Sequence, residues 1–185
     1  MSERLSEVAI RDALERDIPK LHDIYAHYVL TGFGTFEEVP PGAPAFVEKW
    51  RGIVGHGLPW LVAERDGEVV GYAYASPFRP RTGYRYAVED SVYVRNDQRG
   101  GGIGQKLLSA LIPRCEVLGT RQIVAVIGDS QNTPSIKAHA RAGFEHAGTV
   151  RGVGYKLGRW VDIVMMQKSL NGGVETTPPV HGAWR

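Results

Sequence analysis

Residues 100–104 contain four glycines and suggest chemistry more directly than any other part of this sequence. They follow an apolar-alternating run that ends near Val94, and they precede an amphipathic pattern that begins at Gln105. A strand, a glycine-rich turn and a helix in this order direct unpaired backbone N–H groups and the positive end of the helix towards an anion. Arg99 adds a planar cation suited to phosphate oxygens. The segment therefore predicts capture of a pyrophosphate.

Other phosphate-binding loops fit this segment poorly. The nucleoside-triphosphate loop needs Lys and then Ser or Thr directly after its last glycine, whereas Gly104 is followed by Gln105, Lys106 and Leu107. The dinucleotide loop would place its third glycine at Gln105. A plain glycine-rich surface turn stays open as the structural alternative.

A second region with possible chemistry holds His139 and is predicted as a capped helix. Asn132 or Thr133 suits the N-cap, Pro134 suits the first helical position, and Gly143 suits the C-cap. A single histidine in a helix is most often structural, so the pattern alone gives His139 no role.

Hydrophobic periodicity predicts the elements that must position these two regions. Strands are expected over about 8–11, 60–64, 69–75, 86–95, 122–127, 145–150 and 155–168, with helices after Asp17, Pro44, the glycine loop and Asn132. Asp66-Gly67 signals a hairpin between two of the strands. Pro113 should bend the third helix or end it early. Antiparallel strands followed by a β-α-β portion predict an α/β fold with a mixed sheet flanked by helices.

Length and composition indicate one domain. A chain of 185 residues can bury a substantial core, which we place in residues 1–170. Residues 171–185 carry paired glycines and paired prolines and are predicted to be a disordered tail.

Charge and cysteine content argue against several functional classes. Lys plus Arg total 22 against 20 Asp plus Glu, a net charge of +2 that is too balanced for a nucleic-acid binder. No apolar run is long enough to span a membrane and no secretory segment follows Met1, so we expect a cytoplasmic protein. Cys115 is the only cysteine, which excludes an internal disulfide, and no histidine spacing suggests a metal site.

The glycine loop carries the first resemblance to a known family. The spacing Arg99-x-x-Gly102-x-Gly104 resembles the coenzyme A pyrophosphate loop of the GNAT superfamily of N-acetyltransferases. The resemblance implies acetyl-CoA as cofactor. It also implies a mostly antiparallel sheet in which one pair of strands splays apart and offers unpaired backbone groups to the pantetheine arm.

The predicted helix that holds His139 carries the second resemblance to this superfamily. Asn132, Ser135 and the Gly143-Phe144 pair match a later superfamily motif, but His139 stands where that motif has Tyr. In the superfamily this Tyr is often taken as the acid that protonates the departing thiolate, so the departure puts that role in doubt here. His139 then has three readings: an acid for the thiolate, a second base, or a packing residue beside the cofactor.

Histidine at that position is typical of the branch that acetylates phosphinothricin and methionine sulfoximine or sulfone. Segments 34–38, 77–89, 124–128 and 158–162 also resemble this branch, so the resemblance covers about residues 7 to 168. It implies a homodimer. Trp160 of the last segment is given no catalytic role, and neither is its neighbour Asp162.

Attack of an amine on a thioester requires a polarised carbonyl and a neutral amine. We expect the backbone N–H of Val94 to polarise the carbonyl, since a fixed donor costs no reorganisation. A free α-amino group has a pKa near ~8, so a carboxylate must take its proton. Glu89 is the candidate base, and its structural alternative is an ion pair with Arg81 or Arg85.

The site residues implied by the resemblance fall into two groups. The cofactor group is Val92, Tyr93, Val94, Arg99, Gly100, Gly101, Gly102, Ile103, Gly104, Asn132 and Ser135. The acceptor group is Phe36, Arg79, Arg81, Tyr84 and Glu89, with Arg81 favoured over Arg79.

The leading hypothesis is an acetyl-CoA-dependent N-acetyltransferase acting on the α-amino group of a small amino-acid-like molecule. One alternative keeps the chemistry and changes the acceptor to a polyamine, an aminoglycoside or a protein amine, against which the Arg79–Arg81 pair argues. The other is a sensor that binds acyl-CoA without turnover, which Glu89 opposes.

Overall fold

The computed structural model describes residues 7–180, 182 and 184. Within them, seven strands form one sheet in the order β1-β2-β3-β4-β5-β7-β6. The strands are β1 (Ala9–Asp12), β2 (Trp60–Arg65), β3 (Glu68–Pro77), β4 (Ala87–Val94), β5 (Gln122–Gly128), β6 (Glu145–Lys156) and β7 (Arg159–Ser169). The helices are α1 (Ile18–Thr31), α2 (Ala43–Gly55), α3 (Ile103–Val117) and α4 (Thr133–Arg141).

Pairing within the sheet confirms a mixed, mostly antiparallel arrangement. Strands β4 and β5 are parallel, and the other five pairs of neighbours are antiparallel. The predicted hairpin between β2 and β3 turns at Asp66 and Gly67, whose φ values of 53° and 78° suit a tight two-residue turn.

Strands β4 and β5 separate at one end, as predicted. Their pairing runs from Ala87 opposite Gln122 to Asp90 opposite Ala125. Beyond that point β4 continues to Val94 and β5 continues to Gly128, but the two strands no longer pair with each other. The sheet therefore has a fork at Asp90 with an opening above it.

The helices cover both faces of the sheet. On one face, Tyr72 of β3 and Tyr93 of β4 stack at 5.2 Å between ring centroids, and Tyr93 meets Tyr25 of α1 at 5.3 Å. On the other face, Gly71 lies against Ile103 of α3. Because side chains alternate along a strand, odd-numbered residues of β4 face α1 and α2, and even-numbered residues face α3 and α4.

Two predicted boundaries are wrong. Helix α3 does not end early at Pro113 but continues to Val117, because buried residues on both sides of the proline, among them Leu107 and Cys115, hold the two parts against the sheet. A bend at Pro113 stays a prediction. Residues 155–168 are not one strand, since the chain turns at Leu157-Gly158 between β6 and β7. The glycines at 152 and 154 lie at a register shift within β6 and do not end the strand.

The described part of the tail lies against the domain. Arg121 donates to the Thr177 carbonyl at 3.0 Å, and Trp184 Nε1 donates to the Ala87 carbonyl at 3.2 Å. Disorder of residues 171–185 stays a prediction, and residues 181, 183 and 185 lie outside the described set. Among the described residues, no helix combines the length and the apolar character needed to cross a membrane.

Candidate active site

A cavity of about 380 Å³ lies between the glycine loop, the opened end of β4 and helix α4. It brings together ten of the eleven residues predicted to bind the cofactor, together with His139. The predicted residues in its lining are Val92, Tyr93, Val94, Arg99, Gly100, Gly102, Ile103, Gly104, Asn132, Ser135 and His139. Gly101 is not in the lining and lies beside Arg65.

The glycine loop is shaped to present backbone rather than side chains. Gly100 and Gly102 have φ values of 83° and 73°, a left-handed conformation that side chains disfavour. Open space lies where a Cβ atom on either residue would stand. Helix α3 begins at Ile103, so the N–H groups of its first turn have no partner within the helix.

The backbone of β4 offers unpaired donors to the same cavity. Arg95 N donates to Val70 O at 2.8 Å and Phe78 N donates to Ala87 O at 3.3 Å. These bonds show that odd-numbered β4 residues point their N–H groups towards β3, so even-numbered residues point theirs towards β5. Since pairing with β5 ends at Asp90, the N–H groups of Val92 and Val94 face the opening.

Tyr28 of α1 was not predicted and lies at the mouth of this opening. Its hydroxyl donates to Val94 O at 2.6 Å, and its ring contacts Tyr93 with 5.5 Å between centroids. Burial raises the pKa of the Tyr28 hydroxyl, so it stays protonated and donating at neutral pH. The strand end is thus held to α1 on the side nearest the glycine loop.

Asp90 and His139 form a buried pair at the fork, and Asp90 was not predicted either. Their side chains are 1% and 6% exposed, and His139 Nε2 lies 2.9 Å from an oxygen of the Asp90 carboxyl group. His139 Nδ1 lies 2.8 Å from the Ser135 carbonyl. A carbonyl oxygen only accepts, so Nδ1 carries a proton. Both ring nitrogens are therefore engaged.

The environment of His139 favours its charged form. Burial alone would lower its pKa, but the hydrogen bond and the charge of Asp90, with the bond to Ser135, outweigh burial and raise it. Phe144 packs edge-on against the imidazole with 5.1 Å between centroids. The pair ties α4 to β4 where the two strands separate.

Asn132 is engaged by the protein itself. Its side-chain oxygen accepts from Ser135 N at 3.4 Å, and its side-chain nitrogen donates to Gly128 O at 3.4 Å. The N-cap that the sequence predicted is therefore present. The same bonds leave Asn132 at the cavity wall beside the end of β5.

Glu89 lies on the opposite face of the sheet, towards α1 and α2. Its side chain is 30% exposed and lies 3.7 Å from Arg79. Burial raises the pKa of Glu89, and the charges of Arg79 and Lys49 offset part of that rise. The structural alternative, an ion pair of Glu89 with Arg81 or Arg85, is not what forms, because the ion-pair partner of Glu89 is Arg79.

The remaining predicted acceptor residues are Phe36, Arg81 and Tyr84. The Phe36 ring fills the space beside the backbone of Gly154, where a Cβ atom would overlap it. Tyr84 packs edge-on against Phe78 at 5.8 Å, and Arg81 is exposed. None of Phe36, Arg81 and Tyr84 lines the cavity around the glycine loop.

The last segment with branch resemblance has a structural place. Asp162 accepts from Ser130 Oγ at 2.7 Å and from Gly152 N at 2.8 Å, which joins β6, β7 and the turn after β5. Trp160 is 67% exposed and packs against Tyr155. Neither residue lines the cavity.

Comparison with known proteins finds acetyltransferases. The sequence matches the acetyltransferase (GNAT) family over residues 20–144. It is 48% identical over 169 residues to the phosphinothricin N-acetyltransferase of Alcaligenes faecalis, covering 91% of this chain and 86% of that protein. It is 42% identical over 164 residues to the L-methionine sulfoximine/L-methionine sulfone acetyltransferase of Pseudomonas aeruginosa, covering 88% of this chain and 95% of that protein.

Solved structures agree. A GNAT superfamily phosphinothricin acetyltransferase from Sinorhizobium meliloti, in complex with acetyl-CoA, superposes with a TM-score of 0.91, 43% identity and 95% coverage of both chains. A putative acetyltransferase from Salmonella typhimurium, with its cofactor acetyl-CoA, gives 0.89 at 35% identity, covering 94% of this chain and 98% of that one. The fold, the glycine loop and these similarities together place this chain in the GNAT family of acetyltransferases, enzymes that use acetyl-CoA.

Proposed function

We propose that this enzyme transfers the acetyl group of acetyl-CoA to the α-amino group of a small amino-acid-like molecule of the phosphinothricin, methionine sulfoximine or methionine sulfone type. The observation that carries the proposal is Glu89, a half-buried carboxylate on the face opposite the cavity, one residue from the fork at Asp90. The named substrates of the relatives support the acceptor class.

The residues present fit acetyl-CoA, which supplies the acetyl group as a thioester. The backbone of residues 100–104 and the guanidinium of Arg99 would hold its diphosphate. The N–H groups of Val92 and Val94 would bind the pantetheine arm and the acyl oxygen, because both face the opening without a strand partner.

The N–H groups of Val92 and Val94 lie at different distances from Glu89 along β4. Val94 is five residues from Glu89, roughly 16 Å at strand rise, and Val92 is three residues away, roughly 10 Å. The sequence suggested Val94 as the polarising donor. We assign that role to Val92, which is closer to the base. Val94 would bind the part of the pantetheine arm nearer the glycine loop.

Glu89 would take the proton of the incoming amine. A carboxylate whose pKa is raised by burial is a stronger base than one in water. The α-amino group of the acceptor has a pKa near ~8, so the two groups are better matched than they would be in water.

His139 would position the site rather than protonate the thiolate. Both of its nitrogens are committed, to Asp90 and to the Ser135 carbonyl, so no N–H is free to point at a leaving group. The pair instead fixes the distance between α4 and β4, which form two walls of the cavity.

Asp90→Asn tests the charged pairing of Asp90 with His139 on which this positioning depends. The raised pKa of His139 means that its charged form stabilises the fold below its unfolded pKa of about 6.5, and that this stabilisation is lost as pH rises through the folded value. We expect the free energy of unfolding of the wild type to decline over that pH interval and the decline to be smaller in Asp90→Asn. Urea unfolding from pH 5 to 9 measures it. An unchanged profile would refute the pairing.

An acceptor screen tests the proposed activity. The enzyme is incubated with acetyl-CoA and released thiol is recorded for phosphinothricin, methionine sulfoximine, methionine sulfone, spermidine, an aminoglycoside and a lysine peptide. We expect release with the first three well above hydrolysis. Release only with the cationic amines would reject the acceptor class, and release with none would reject the activity.

We also propose a homodimer. The β6–β7 hairpin exposes apolar side chains that a monomer would leave in water: Val153, Tyr155, Leu157 and Trp160. An exposed cluster of this kind commonly marks a protein interface. Light scattering of the purified enzyme measures its mass, and a value of a single chain at micromolar concentration would reject the dimer.

A further inference from the structure

Lys49 of α2 has an environment unlike that of a surface lysine. Its Nζ atom lies 5.2 Å from the ring centroids of both Tyr25 and Tyr74. Both tyrosines are buried, at 3% and 4% exposure. None of the ion pairs among the described residues includes Lys49. An ammonium is thus held over two aromatic faces without an anion beside it.

This ammonium lies on the acceptor face of the sheet. Tyr74 stands opposite Ser91 and Ser76 stands opposite Glu89, so Tyr74 and Glu89 project from the same face of neighbouring strands. The charge of Lys49 reaches Glu89, whose pKa it helps to hold down. Lys49 and the proposed base therefore lie on one face of the sheet, near enough for the charge of Lys49 to act on Glu89.

The Lys49 ammonium stays charged on this face. Burial alone would lower the pKa of Lys49, but the hydroxyls of Tyr74 and Tyr25 and the carboxylate of Glu37 together raise it. Aromatic faces offset part of the cost of removing water from a cation, but they accept no conventional hydrogen bond. The Tyr74 hydroxyl engages one N–H of the ammonium, and the remaining donors are available to an anionic ligand.

Other cations of this region are less well placed. The Arg79 guanidinium stacks on Phe78 at 4.2 Å, donates to the Phe78 carbonyl and lies beside Glu89. Arg81 is exposed in the loop before β4. An α-amino acid whose amine meets Glu89 carries its carboxylate only two bonds from that nitrogen. The cation that receives the carboxylate must therefore lie near Glu89 without already neutralising it.

We propose that Lys49 is the specificity-determining cation that binds the α-carboxylate of the acceptor. This rests on the proposed function, and it deepens it: the enzyme selects α-amino acids over amines with the same side chain. Arg81, which is exposed in the loop before β4, remains available to the oxidised phosphorus or sulfur group at the other end of the acceptor.

Lys49→Met removes the ammonium and keeps the length of the chain. Two acceptors are compared, methionine sulfone and 3-(methylsulfonyl)propylamine, which lacks the carboxylate. We expect kcat/KM for the amino acid to fall at least about tenfold, mainly through KM, because a hydrogen bond to a charged group is lost. At a pH on the plateau above the titration of Glu89, kcat/KM for the amine and KM for acetyl-CoA should change little. Lys49→Arg should restore part of the loss.

The controls separate failure of this inference from failure of the proposed function. Lys20→Met removes an exposed lysine of α1 and should affect neither acceptor. An equal loss for both acceptors in Lys49→Met, or a change in kcat alone, would overturn the carboxylate contact. If the wild type acetylates neither, calorimetric titration of methionine sulfone into the coenzyme A complex still compares binding. Equal affinity of wild type and Lys49→Met would then overturn the contact.

Discussion

Glu89→Gln should lower kcat by about 10²- to 10⁴-fold, the range that a positioned general base contributes. Glutamine keeps the size and the polarity of the side chain but takes no proton from the amine. The cavity that would hold the cofactor lies on the other face of the sheet, so affinity for acetyl-CoA should stay within about twofold. Single-turnover thiol release measures the first effect, and calorimetry measures the second.

The pH dependence provides an independent check. Glu89 must be ionised to act, so the wild-type rate should rise with pH through its raised pKa, and the variant should lack that limb. A raised folded pKa also means that ionisation of Glu89 weakens the fold as pH increases. Glu89→Gln should therefore be at least as stable as the wild type at neutral pH, which separates lost chemistry from lost structure. Glu48→Gln, an exposed position on α2, is the matched control.

A variant with wild-type turnover would remove Glu89 from the reaction. A slow variant that also melts early would mean that Glu89 supports the fold through Arg79. The two outcomes differ in thermal unfolding, so a single pair of measurements distinguishes a base from a structural ion pair.

The sequence predicted those parts of the site that local chemistry specifies. The glycine loop is recognisable because the backbone at residues 100 and 102 has a left-handed conformation that favours glycine. Helix α4 is recognisable because Asn132 caps it through a bond to a residue three positions away. Both signals lie within a few residues of the chain, where spacing alone is informative.

Residues that depend on distant partners were missed. Asp90 is 49 positions from His139, and Tyr28 is 66 positions from Val94. In the sequence, Asp90 is a polar residue in an alternating strand, and alternation predicts its face but not its partner. Lys49 looks like the solvated side of an amphipathic helix, because the rings of Tyr74 and Tyr25 approach it only after folding.

Lys156 is another residue whose role depends on a distant partner, here in the loop that carries Phe36. It is 1% exposed at the end of β6, and its Nζ donates to Thr35 O at 2.7 Å. Thr35 in turn bonds to the Tyr25 hydroxyl at 3.0 Å through its own hydroxyl. These contacts hold the loop that carries Phe36 against the end of the sheet. Because Lys156 and Thr35 are 121 positions apart in the sequence, no local pattern reveals their contact.

Gly128→Ala should disturb this loop. A Cβ atom at Gly128 would overlap the carbonyl oxygen of Phe33, which is backbone and has no rotamer through which to move away. Either β5 or the loop must shift. Overpacking of this kind costs about 1–3 kcal/mol, and for a chain of this size each kcal/mol lowers Tm by about 2–4 °C.

The functional effect should reach both substrates. The loop bears Phe36 and meets β5 at Gly128, and both Gly34 of the loop and Gly128 line the cavity around the glycine loop. Its displacement should therefore raise both KM for the amino acid and KM for acetyl-CoA. Gly148→Ala is the control, since nothing lies within 4 Å of its Cβ position and no strain is expected. If Gly128→Ala had the Tm of the wild type and an unchanged KM for the amino acid, the loop would be able to shift without cost. The contacts of Lys156 and Tyr25 with Thr35 would then not fix the position of Phe36.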